Sequence, residues 1–134
     1  MDWRVAEAPD AAVIEAMAVA SVEALPKRFR DHARAVVIQV EEFAEDDILA
    51  DLEIDDPFEL TGLYDGIPLT EKSVSDQRGQ PDAIWLFRRA ILEEWIERGN
   101  VSLSDLVAHV VVHELAHHFG WSDADIASID EWWT

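Results

Sequence analysis

HELAHHFGWSD, residues 113–123, decides how the rest of the chain is read. It is either a metal centre with its own general base or the histidine-rich end of an ordinary helix stopped by a glycine. On a helical wheel of residues 106–119, at about 100° per residue, His117 falls roughly 40° from His113 and Glu114 roughly 100° from it. The three share one side. Ala108, Val111, Val112, Leu115 and Phe119 occupy the other, so one face belongs to a core and the other to a cleft. Val110 and Leu106 also lie on the histidine side, which gives that cleft an apolar floor.

Two histidines at i and i+4 aim their ring nitrogens at one point, each about 2.0–2.1 Å from a zinc ion placed there. Glu114 projects sideways, where its carboxylate reaches a water on the metal without displacing it. It takes the proton as that water attacks a carbonyl, while zinc lowers the water's pKa and polarises the substrate oxygen. A third ligand has to come from beyond the helix. Gly120 adopts positive φ at little cost and lets the chain leave sharply. Asp123 then arrives three residues later as the third ligand. His113, His117 and Asp123 leave a fourth position open, which distinguishes a catalytic zinc from a structural one.

Working outward, the motif helix opens at Ser102 with Asp105 three residues on, an N-terminal capping pattern, and runs to Gly120. Before it, RRAILEEWIERG is a helix closed by Gly99. AIWLF (83–87) is a strand, and LTGLYDGIPLTEKS contains a short strand or loop reversing at Asp65-Gly66, with Pro68 keeping it from the middle of a sheet. The acidic run EDDILADLEIDDP starts as a short helix and ends in a Pro-marked loop. It lacks the Asp and Gly order of a calcium loop, so it reads as a solvated surface. AVVIQV (35–40) is a strand. A first helix follows Pro9-Asp10 and stops at Pro26, with Val13, Met17, Ala20 and Ala24 on its apolar side. The tail DADIASIDEWWT is one more short helix or turn. This order predicts an α+β fold, a small sheet packed against helices, in one domain spanning 1–134.

The chain has 134 residues, a formal net charge of −19 and no cysteine. The charge repels nucleic acid and anionic membranes and draws in basic or unstructured polypeptides. Without cysteine, any metal is held by nitrogen and oxygen. No apolar run is long enough for a membrane span, and the start lacks the basic region of a signal peptide, so a soluble cytoplasmic protein is expected.

The motif HExxHxxGxxD, as His113, Glu114, His117, Gly120 and Asp123, resembles that of the zincins, specifically the metzincin pattern with Asp for the last His. GLYDGIPLTEKS, PDAIWLFRR and HVVVHELAHHFGWSD, in that order from about residue 10 to 130, resemble the small bacterial minimal zincin metallopeptidases. That resemblance implies a zincin-like mixed sheet against a long motif helix, Zn²⁺ as cofactor and a peptide or unstructured protein as substrate. The only methionines are Met1 and Met17. A Met-turn after the motif is therefore absent, which separates the chain from the true metzincins.

Other residues have two readings each. His109 is either an outer partner of the metal ligands or a packed or solvated histidine. His118 reads as a helix-end residue favoured by the dipole. Tyr64 either donates to the developing oxyanion or caps the core, and Trp121, Trp132 and Trp133 either line a groove or pack the tail. For function, a zinc peptidase whose extended substrate pairs with an edge strand at 83–87 stands beside two alternatives. One is a catalytically idle metal-binding module that docks partners on its acidic surface. The other is a hydrolase of non-peptide amides.

Overall fold

The computed structural model describes residues 8–66 and 82–120. Helices α1 (Ala11–Glu23) and α2 (Lys27–Ala33) lead into strand β1 (Val37–Glu41) and helix α3 (Asp46–Asp51). A single 3₁₀ turn (Pro57–Glu59) precedes β2 (Gly62–Asp65), and β3 (Ala83–Phe87) runs directly into α4 (Arg88–Arg98) and then α5 (Leu103–Phe119). The fold is α+β, with a mixed sheet of order β1-β3-β2. Strand β3 pairs in parallel with β1 (Val37↔Ala83 to Glu41↔Phe87) and antiparallel with β2 (Gly62↔Leu86 to Asp65↔Ala83).

That order corrects one expectation. AIWLF is a strand from Ala83 to Phe87 as read, but it is the central one, with both of its edges taken. A strand of alternating Ile84, Trp85, Leu86 and Phe87 has apolar side chains for both faces, which suits the middle of a sheet covered on two sides. Among the described strands, the edge beside the motif helix belongs to β2.

Ile84 and Leu86 face the larger core, packed with Ile14 and Ala18 of α1, Ile91 of α4, and Val107, Val111 and Leu115 of α5. Phe87 faces a smaller cluster with Ala44, Leu49 and Ala90, joined at its margin by Trp85 and Leu63. Arg88, at the strand-to-helix junction, ties that end down by donating to the Pro9 carbonyl (2.7 Å) and to Glu42 (2.8 Å).

Two helical expectations need correction. In α1 the buried positions are Ile14, Ala18, Ser21 and Val22, whereas Val13 is 41% exposed and Ala20 and Ala24 face solvent. Ala, Val and Met surround this helix on every side, so the 3.6-residue period does not select a face; the larger Ile14 and Val22 do. Ser21 is accommodated in the core because its hydroxyl donates back to the Ala18 carbonyl at 2.6 Å. Helix α2 carries no apolar period in the sequence: KRFRDHA has only Phe29 and Ala33 to bury, and its Phe29 ring meets Phe119 edge-on at 5.7 Å. It takes the place of the start of the strand expected at 35–40, because Ala35 and Val36 donate to His32 and Ala33 at its end.

Helix α5 follows the wheel. Ser102 caps it, its hydroxyl accepting from the Asp105 amide at 3.1 Å, and Gly120 ends it at φ 71° in the left-handed region. Val111, Val112 and Leu115 are at most 1% exposed. Leu106 and Val110, on the histidine side, are buried as well (2% and 5%). Gly62 of β2 explains the latter: a Cβ there would sit 2.7 Å from Val110 Cγ1 and 3.3 Å from Glu114 Cγ, so only glycine lets this strand lie so close to the helix. Among the described residues, no helix is long and apolar enough to cross a membrane.

Candidate metal centre

The last two turns of α5 bring His113, Glu114 and His117 together. One donor atom from each lies within 4.8 Å of the others, and the two imidazoles sit 5.6 Å apart, nearly perpendicular at 79°. Both histidines are exposed, whereas the Glu114 side chain is only 12% exposed and has an oxygen 4.0 Å from His117 Nε2. Burial pushes the Glu114 carboxyl above its ordinary value of 4.5, opposed by His117, by His113 and by a hydrogen bond from the Tyr64 backbone N–H. The result is a carboxylate held beside two outward-facing imidazoles and reluctant to carry its charge. Nitrogen and oxygen donors in this set suit zinc.

Asp123, the expected third ligand, lies outside the described residues, as do Trp121, Trp132 and Trp133. His109 is solvent-exposed, one turn before His113.

His118 lies in the last turn of α5, as expected of a helix-end residue, but it is buried. It is 4% exposed, and its Nδ1 lies 3.1 Å from Asp82 Oδ2 and 3.0 Å from the Tyr64 hydroxyl. Tyr64 donates its one phenolic proton to the same Asp82 oxygen at 2.8 Å. That hydroxyl therefore has no second proton for an oxyanion. Tyr64 instead packs against the large core, the other reading given to it above. Gly66 lies over this group so closely that a Cβ would fall 2.5 Å from both Asp82 Cγ and the Tyr64 hydroxyl. The two glycines of GLYDG thus serve two contacts, one with the motif helix and one with the Tyr64–Asp82 pair.

A signal for His118 was present in the sequence. At about 100° per residue it falls roughly 140° from His113, on the flank of the buried arc. Its acidic partner, 36 positions earlier, could not be read from spacing.

A concavity also lies elsewhere among the described residues. A cavity of about 500 Å³ with Leu63, Trp85 and Phe87 on its floor opens on the other side of the sheet, and none of the three donors lines it.

A mixed sheet lying on a helix that presents His, Glu and His at HExxH spacing is the architecture of a zincin. The chain belongs to the family of Zincin-like metallopeptidases, whose pattern it matches over residues 33–133. No curated protein matches it.

Proposed function

We propose that the chain is a zinc-dependent peptidase in which His113, His117 and Asp123 hold the metal and Glu114 is the general base. The same reading takes residues 1–134 as one domain. The observation that carries it is the lodging of Glu114. Simple metal binding does not call for a general base at this position, and burying a carboxylate beside two imidazoles without a compensating role costs free energy. Zinc, when bound, supplies Lewis acidity to the attacking water and the scissile carbonyl. Glu114 accepts the proton that the water gives up and delivers it to the leaving amine.

An extended substrate adds to the outer edge of β2. Phe87 donates to Thr61 at 2.9 Å, so alternation along the antiparallel ladder turns the backbone groups of Gly62 and Tyr64 away from β3. The Tyr64 N–H on Glu114 marks how near that edge is to the reacting position. Substrates are unstructured polypeptides, and the charge of −19 favours encounter with basic ones.

The test combines metal analysis of protein purified without added zinc with incubation in a mixed library of unfolded peptides. Glu114→Ala is expected to keep stoichiometric zinc and lose turnover, whereas His117→Ala loses both. Turnover surviving in Glu114→Ala would remove the general base from the mechanism. Zinc bound by the unaltered protein with no peptide cleaved would favour the idle interaction module.

A further inference from the structure

The centre as proposed uses His113, Glu114 and His117 and leaves unexplained the buried polar group directly behind them. Asp82 and His118 are 6% and 4% exposed, and with the Tyr64 hydroxyl they form a closed triangle of 2.8, 3.0 and 3.1 Å. Burying a carboxylate and an imidazole in a domain this small is costly unless the pair is well satisfied. A carboxylate only accepts, so Tyr64 O–H donates to Asp82 and His118 Nδ1–H is shared between the Asp82 carboxylate and the Tyr64 hydroxyl oxygen, which fixes the His118 tautomer.

We infer that Tyr64 is a positioning residue of the metal centre, its hydroxyl pinned by Asp82 and His118 so that its ring and backbone hold His117 and Glu114 in place. The inference rests on the metal-centre reading above. The Tyr64 ring lies nearly parallel to the His117 imidazole, 14° off at 6.5 Å between centroids, and so backs that ligand on one side. Its backbone N–H is bonded to the Glu114 carboxylate. One residue of β2 thus touches both a metal-ligand candidate and the general-base candidate of α5. The phenolic oxygen is the far end of that residue, and Asp82 fastens it to the start of β3 while His118 fastens it to α5. Gly66 seals the arrangement, since any side chain there would displace Asp82 or Tyr64. Groups that orient ligands from behind typically change metal affinity by about 10- to 100-fold when removed.

The experiment measures zinc affinity by competition with a chromophoric chelator and, on the cobalt-substituted protein, the visible absorption of the ligand field. Tyr64→Phe keeps the ring and the backbone and removes only the anchor. It is expected to weaken zinc at least about tenfold, alter the cobalt spectrum and lower kcat with KM little changed. A second pair guards against misfolding of that variant. His118→Asn places an amide N–H where Nδ1–H was and is expected to retain affinity and spectrum, whereas His118→Ala loses them as Tyr64→Phe does. A merely structural network would change urea stability and leave the cobalt spectrum and zinc affinity of the folded fraction as in the unaltered protein; that result overturns the positioning role alone. Failure of the unaltered protein to bind zinc or cobalt would overturn the metal centre, and this inference with it.

Discussion

His117 and His118 are neighbours in the chain, yet the side chain of the first is 56% exposed and that of the second 5%. The same helix turn thus presents one imidazole outward beside Glu114 and commits the next to Asp82 and Tyr64. The two faces of α5 differ in what their residues are for. Inward, Val111, Val112 and Leu115 have lost nearly all contact with water and carry the stability of the domain. Outward, His113 and His117 remain accessible and contribute little to folding, since exposed side chains rarely matter by more than a few tenths of a kcal/mol. Stability and function are therefore separable on this helix, except where β2 touches both faces' margins.

The largest expected effect tests that separation directly. Leu115→Ala is expected to cost about 3 kcal/mol in urea unfolding, from lost transfer energy plus the cavity it leaves, while the remaining folded protein binds zinc at unchanged stoichiometry. His113→Ala is expected to do the reverse, changing metal-free stability by less than about 0.5 kcal/mol and abolishing zinc binding. If His113→Ala unfolded the metal-free protein, the outer face would be structural and the division wrong.

Gly62 sits on the boundary, and Gly62→Ala sharpens the comparison. The new methyl meets Val110 at 2.7 Å, from the apolar floor, and Glu114 at 3.3 Å, from the His-Glu-His cluster. Forcing the strand off the helix is expected to cost about 1–3 kcal/mol and to weaken catalysis as well. Loss of stability with full turnover would mean that the spacing of β2 from α5 is irrelevant to the site. Ser102→Ala, at the far end of α5, removes a cap bond of 3.1 Å and is expected to cost about 1 kcal/mol without touching zinc affinity.

The same comparison explains what could be read from the letters alone. Both ends of α5 and the division of its faces were legible, because Ser102, Gly120 and a two-sided apolar pattern are local features. The span of β3 was legible for its apolar run, but its central place was not, since strand order is set by pairings 18 to 46 positions away along the chain. Helix α1 showed its length and hid its face, being apolar at most of its positions. The His-Glu-His cluster followed from spacing on one helix, whereas the Tyr64–Asp82–His118 group needed three elements to meet and left no periodic trace.

The smallest expected effect probes Glu114, where the functional face is buried enough to affect folding. Its pKa is raised above 4.5 in the folded protein because burial outweighs His117, His113 and the Tyr64 amide. The folded state therefore holds this proton to higher pH than the unfolded chain does. Its stabilising contribution is fully present below 4.5 and is lost as pH rises through the folded value. Glutamine mimics the protonated form and does not titrate. In metal-free protein, Glu114→Gln is accordingly expected to match the parent below pH 4.5 and to be the more stable above it, by a margin that grows and then levels off. Three favourable contacts oppose the desolvation, which limits the margin. Urea midpoints measured across the acidic to neutral range in the presence of a chelator check the sign. A parent more stable than Glu114→Gln at neutral pH would mean that the imidazoles and the Tyr64 amide win over burial, and that Glu114 is held as a settled carboxylate instead of a base under strain.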